Sequence, residues 1–456
     1  MKKLLLVICP LLILAALTAC AGPAATTVAP EPTDPPAAEE PAQAEAPAEP
    51  AEEVVPAEEE AAPVEEVTDP VTITFWHTYN ETSAENEMLT ETLIPLFESQ
   101  HPDIHVESLT VPYDDFMRKL TTAISGGMAP DLIRADIIWV PQLADMGALV
   151  ALDGAMSDFE DLTANMFPGP LSTNYWQGNY YGLPLDTNTK VWIYNLDMYA
   201  QAGIEAPAAN VSELMEQCQA IKAANPDAYL FATDGTFAWT ILPWIWSMGG
   251  DVLSPDLTTA SGYLNGPETV AAYELWLQMY QEGCLAPVVL GNGVDVFTGF
   301  AQDLYANLDN GPWSYPIIQG QFPDKEIGAT LFPAGEAGSI NVVGGEDIVL
   351  FQQSEYPQQA MEFMRFMVSD EAQLKMAEVG VMPVRADLAD SETIQSHPYF
   401  GIFMEQLQTS QARPSHPKWT QIDGILTDAG QLILREEMTP QEALDQAAAE
   451  IDSLLQ

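Results

Sequence analysis

The chain has 456 residues, 47% of them hydrophobic, and carries 14 Lys and Arg against 67 Asp and Glu for a formal charge of −53. This length and apolar content suit more than one domain with a sizeable core, which excludes a wholly disordered chain. The negative excess repels phosphate backbones and anionic lipid heads, so nucleic acid and polybasic membrane docking are excluded as functions.

Lys2 and Lys3 precede an apolar stretch from Leu4 to Ala19, too short for a comfortable transmembrane helix, which reads as an export signal. It ends at Leu17-Thr18-Ala19-Cys20, which resembles the lipobox of bacterial lipoproteins. The resemblance implies cleavage that leaves Cys20 as an acylated N-terminus. At about 0.8 kcal/mol per buried methylene, two or three chains would hold it firmly on a membrane. Ala21 to Pro70 is Ala, Pro and Glu with 14 acidic and no basic residues, the composition of an extended, disordered tether. The remainder keeps 12 basic against 53 acidic residues, so the folded part is itself acidic.

Val71 to Trp76 alternates with β-branched residues and predicts a strand. Thr82 and Glu85 predict a capping box for a helix to about Ser99. A second strand is expected over Ile104 to Val111 and a helix over Tyr113 to Ser125, stopping at Gly126-Gly127. A third strand follows at Asp131 to Arg134, then a helix around Pro141 to Met146. This alternation is that of a doubly wound parallel sheet, whose ligands bind beyond the carboxyl ends of the strands. Tyr79, Asn80, Glu81 and Asp136 stand there. A second set of elements begins after Gly182-Leu183-Pro184, with a strand at Val191 to Asn195 and helices at Val211 to Ala224, Pro267 to Gln281 and Tyr356 to Met367. Thr439 to Glu442 is a second capping box, opening a helix to Leu455. These elements suggest two lobes rather than one sheet.

Cys9 lies in the signal, which leaves Cys218 and Cys284 either bonded to each other or as two buried thiols. His101 and His105 are four apart but split by Pro102, so a loop is expected there and no metal site. The sequence has no GxSxG, Walker loop, HExxH or GxGxxG after a strand, and nothing calls for a cofactor. With 67 acidic residues, paired carboxylates arise by chance, and a secreted glycan hydrolase has only that support. Trp192 and Trp276 read as core. Trp239, Trp244, Trp246 and Trp313 fall at turns and element ends, where flat rings beside polar groups suit a sugar.

Phe75-Trp76-His77-Thr78, Ser125 to Asp131, Gly182-Leu183-Pro184 with Tyr194-Asn195, Asn310-Gly311-Pro312-Trp313 and Gly344-Gly345 occur in one order. Together with Pro383, Arg385 and Pro417-Lys418-Trp419, they resemble the extracellular solute-binding proteins of family 1, the maltose-binding-protein-like sugar-binding lipoproteins of ABC importers. The resemblance implies an α/β, type II periplasmic-binding-protein fold: lobe 1 from 71–186 and 346–382, lobe 2 from 187–345 and 383–456, and a cleft between them. Crossings are implied near Asp186 to Lys190, Gly344 to Asp347 and Val381 to Arg385. By position, Trp313 is similar to the principal stacking ring and Trp239 to a second platform, with Trp246 beside them. Asp136 resembles the acid that accepts sugar hydroxyls and Asn188 a polar hinge residue, while Gly345 and Glu346 fall at the second crossing. Asn80 and Glu81 stand where maltose-binding protein has an acid and a lysine, a departure that speaks against maltose itself. The implied partners are a carbohydrate, probed by both lobes, a permease with a cytoplasmic ATPase, and the membrane through the lipid; the implied state is a monomer performing no chemistry. A polyol or glycerophosphodiester is the alternative ligand, and few basic residues are expected near the cleft.

Overall fold

A computed structural model describes residues 70–456; the export signal, Cys20 and the acidic tether lie outside the described residues. Alternation in the sequence becomes strand β1 (Val71–His77), which buries Ile73, Phe75 and His77 on one face. Parallel neighbours β2 (Ile104–Thr110) and β3 (Leu132–Asp136) flank it, connected through helices as the spacing predicts. The first helix differs from expectation at its start. Ser83, not Thr82, is the cap, accepting from the Asn86 amide, while Thr82 is drawn into a turn by Asn80. Helix Tyr113–Ser125 has the expected bounds.

After a short hairpin of β4 (Tyr175–Trp176) and β5 (Asn179–Tyr180), β6 (Gly182–Asn188) joins the first sheet. Two residues later the chain enters a second, four-stranded sheet built from β7 (Val191–Asn195), β8 (Tyr229–Ala232), β9 (Tyr305–Asn310) and β10 (Ile327–Thr330). It returns along β11 (Val342–Leu350), antiparallel to both β3 and β6. The first sheet is therefore mixed: its parallel part ends at β3, because β6 and β11 are strands that travel between sheets. The chain crosses again beyond helix Asp370–Glu378, where Met382 bridges to Thr187. Finally β12 (Gln411–Ala412) pairs with the start of β11.

Each sheet is packed on both faces. Ile73, Phe75, Leu132 and Ile348 lie on one side of the first sheet, and Ile133, Ala135, Trp139 and Val349 on the other. Around the second sheet, Trp192, Phe231, Trp244 and Trp276 build one core and Ile193, Phe300 and Leu308 the other. Cys218 and Cys284 are bonded and fully buried in the larger of these cores, with a Cα–Cα distance of 5.7 Å. Among the described residues, no helix is long and apolar enough to cross a membrane, and no cluster of His, Cys, Asp and Glu could hold a metal. His105 donates its Nδ1–H to Glu98 Oε1 at 2.8 Å, and His101 stacks on Phe97.

Candidate functional site

The strand ends and the crossings converge on one region. Trp239 is the second residue of helix Ala238–Ser247, whose first amide donates to Asp423 Oδ1 at 2.6 Å, fixing the helix start. Trp313 follows β9 through Asn310-Gly311-Pro312 and precedes helix Ser314–Gln321. The two rings are offset-stacked, with centroids 6.4 Å apart and planes at 29°, and Trp313 is 38% exposed. Gly311 is required beneath it: a Cβ there would stand 2.2 Å from the Trp313 ring.

The hinge strands lock the other ring. A Cβ on Gly344 would stand 2.3 Å from Asn188 Oδ1 and 2.6 Å from Trp239 Cη2, so both side chains lie against the bare glycine. Asn188 Oδ1 is buried without a hydrogen-bond partner. Gly345 has φ 126° and closes on the Asp186 carbonyl, which a side chain would strike at 2.3 Å. Gly344→Ala is expected to weaken ligand binding by roughly tenfold and to lower thermal stability by about 1–3 kcal/mol, through overpacking against Trp239. Calorimetry and thermal melts read both effects.

Charge is distributed unevenly around this site. Lys190 Nζ lies 5.4 Å from the Trp239 ring and donates to Asp309, whose other oxygen accepts from Asn341 Nδ2 at 3.0 Å. The pair is buried; burial pushes the Lys190 ammonium down while Asp309 opposes that shift. Arg134 on β3 is shared between Asp186 at 3.0 Å and Glu346 at 2.6 Å, and its guanidinium covers the Tyr79 ring at 4.2 Å. Burial raises the Glu346 carboxyl well above the usual range, with Arg134 opposing and Asp186 reinforcing. His77, under the same cluster, is held neutral to about 4 by burial and by Arg134.

Asp136 faces across the gap between the sheets. Its Oδ1 accepts from the Ile138 amide at 3.0 Å and its Oδ2 from the Tyr113 hydroxyl at 3.0 Å. Arg413, just past β12, approaches Oδ1 only to 3.6 Å, and its guanidinium carbon lies 5.4 Å from the Trp239 ring. Its Nε is buried without a partner. Asp136, Arg413, Trp239 and Trp313 thus join the two sheets in one constellation, with Asn188, Gly345 and Glu346 on the strands between.

Other expected site residues fall elsewhere. Trp246 is buried in the core of the second sheet with its indole N–H donated to Asp251, and Trp244 is buried among Trp192, Phe231 and Phe332. Helical spacing turns Trp244 away from the face that presents Trp239, whereas Trp246, seven residues on, shares that face two turns further along, where the core of the second sheet covers it. Tyr79 is buried beneath Arg134. Asn80 Oδ1 accepts from the Thr82 amide and hydroxyl, each at 3.0 Å, and Glu81 is exposed; no hydrogen bond ties either to the second sheet among the described residues. The expectation of few basic residues near the cleft is overturned by Arg134, Lys190 and Arg413. Tyr113 was also missed, although it stands at the carboxyl end of β2 under the same rule that selected Asp136.

Comparison with known proteins gives a common pattern. A profile described as "Bacterial extracellular solute-binding protein" matches residues 92–402. A binding protein of Brucella abortus is 28% identical over 384 residues, 83% of this chain and 92% of the relative. The multiple sugar-binding protein of Streptococcus mutans is 26% identical over 69% of this chain and 75% of its own length. Among solved structures, an ABC transporter solute-binding protein of Thermotoga lettingae bound with α-D-tagatose is 27% identical, with TM-score 0.73, covering 84% of this chain and 100% of the other. The sugar-binding protein MalE of Xanthomonas citri shares the fold at TM-score 0.74 and 22% identity, over 84% and 97% of the two chains.

Proposed function

Because the chain belongs to the bacterial extracellular solute-binding proteins and has their type II periplasmic-binding-protein fold, we propose that it captures a neutral saccharide between its two lobes for an ABC importer. Lobe 1 comprises residues 71–186 and 346–382, and lobe 2 residues 187–345 and 383–456. The observation that carries this reading is the stacked Trp239 and Trp313 beside Asn188, linked through Arg413 to Asp136 on the other lobe. Aromatic faces pack on sugar C–H groups, while Asn188 Oδ1 and Asp136 accept from hydroxyls. A sugar touching both lobes stabilises the closed form through contacts available only there. The closed form then docks on a permease whose cytoplasmic ATPase drives transport, and this chain binds without catalysing. It acts as a monomer, held to the outer face of the membrane by acyl chains on Cys20 and spaced from it by the acidic tether.

A second reading is favoured by Arg413, whose Nε has no partner and whose bond to Asp136 is long: a glycerophosphodiester could draw the guanidinium away. Asp136→Asn separates the two. For a saccharide it is expected to weaken binding by about tenfold, since an amide is a poorer acceptor than a carboxylate. For a phosphodiester it strengthens binding, because a repelling charge is removed and Arg413 released. Calorimetry with oligosaccharides and glycerophosphocholine reads the sign, and stronger binding of the latter rejects the first reading.

A further inference from the structure

Four stretches of chain meet beside the indole pair. Thr189 and Lys190 follow β6, Asp309 and Asn310 end β9, Asn341 and Val342 open β11, and Ser410 and Gln411 lead into β12. Buried side chains tie them together. Lys190 Nζ donates to Asp309 Oδ2, Asn341 Nδ2 donates to Asp309 Oδ1 at 3.0 Å, and the Thr189 hydroxyl donates to the Val342 carbonyl at 2.9 Å. Ser410 Oγ lies 2.7 Å from that hydroxyl, and the Gln411 amide donates to the Asn341 carbonyl at 2.8 Å. Thr189 and Asn341 are fully buried, and Lys190 and Asp309 each expose 1% of their side chains.

Each stretch carries a member of the candidate site just beyond this junction. Asn188 is two residues before Lys190, and Trp313 is four after Asp309. Gly344, against which Trp239 lies, is three after Asn341, and Arg413 is two after Gln411. The Lys190 ammonium also stands over the Trp239 ring at 5.4 Å from its centre, a cation held on an aromatic face. An ion pair this deeply buried is a poor source of stability, because desolvating two charges costs about as much as their attraction returns and apolar side chains of similar volume often serve as well. Its directional bonds do what apolar packing does not: one carboxylate that accepts from Lys190 and from Asn341 fixes three backbones relative to one another. We propose that the Lys190–Asp309 pair is a positioning group for the candidate site, setting Asn188, Trp239, Trp313 and Arg413 in their mutual arrangement. This role rests on the reading of the indole pair as part of the ligand site, although the arrangement itself can be measured without ligand. Two of the tied stretches are crossing strands, so the rings and the lobe 2 end of the hinge move as one body.

The test is circular dichroism, thermal melting and calorimetry on the full chain and three variants. Trp313→Ala identifies the exciton couplet of the stacked indoles as the part of the far-ultraviolet spectrum that it abolishes. Lys190→Met leaves Asp309 buried and unpaired and should lower the melting temperature. Lys190→Met combined with Asp309→Asn removes both charges, keeps an oxygen for Asn341, and should melt within about 5 °C of the unaltered protein. Without ligand, the couplet of this double variant should fall by at least about half, because coupling depends on ring separation and angle. Calorimetry with oligosaccharides of one to four units and with glycerophosphocholine should show the ligand that the unaltered protein binds held at least about tenfold more weakly. A folded double variant with an intact couplet overturns the proposal, whatever its affinity. So does a double variant that no longer folds, since the pair then serves the fold and not the site. A lost couplet with unchanged affinity removes the indole pair from the ligand site and with it the role proposed for Lys190 and Asp309. If the unaltered protein binds no saccharide, the saccharide reading fails by itself, and the couplet still decides whether the pair sets the rings.

Discussion

Trp313→Ala is expected to weaken saccharide binding by at least about tenfold while moving the melting temperature little. The ring is more than a third exposed, so its removal forfeits little packing within the chain. Its inner edge lies over Gly311 and its face pairs with Trp239, positions that only a bare glycine and an offset stack permit. A side chain ordered this way without burial is preorganised for something else, and preorganisation is what converts contact into affinity. Trp313→Tyr, which keeps a flat face, should recover most of the loss. Unchanged affinity in Trp313→Ala with an intact fold would remove the aromatic pair from the site.

Breaking the Cys218–Cys284 bond should have the largest effect on stability. The two residues are 66 apart, one in helix Leu214–Ala224 and the other just past helix Pro267–Gln281, and both are fully buried. Cross-linking a loop of that length restricts the unfolded chain, and replacing both residues by Ala is expected to cost about 2–4 kcal/mol. In the melting temperature this is a fall of roughly 2–5 °C for a folded part of this size. The affinity for ligand should be unchanged, since the bond lies in the core packed on the second sheet, which includes neither Asn188 nor Trp313. An unaltered melting temperature would show that the cross-link adds nothing. Such a bond persists in an oxidising compartment, as an extracellular protein requires.

Most of the architecture was legible because local pattern and tertiary role agree. Tyr113–Ser125, Val191–Asn195, Pro267–Gln281 and Pro440–Leu455 form where periodicity and caps place them. The first helix start was misread because two hydroxyl residues compete, and Asn80 captures Thr82 before it can cap. The antiparallel strands β6 and β11 were not readable as such, since hydrophobic patterning does not carry strand direction. Helical phase separates Trp244 from Trp239 but not Trp246, which lies two turns along the same face and is buried by its position in the helix. Trp239 faces the hinge glycine, whereas Trp244 and Trp246 lie in the core. Arg413 lay beyond any periodic signal, in a short irregular segment whose reach to Asp136 depends on β12 pairing with β11.

The charge of −53 says little of the ligand: the basic residues that matter, Arg134, Lys190 and Arg413, are drawn to the cleft and largely neutralised there. In the proposed site, what remains to recognise a ligand is two indole faces and one carboxylate, with Asn188 beside them. The most direct test is titration of the protein against neutral mono- and oligosaccharides and glycerophosphocholine, followed by tryptophan fluorescence and calorimetry together. Saturable one-to-one binding of a neutral saccharide, with a change in indole emission that is diminished in Trp313→Ala, is the predicted result. Saturable binding of glycerophosphocholine with no response to any saccharide would contradict it.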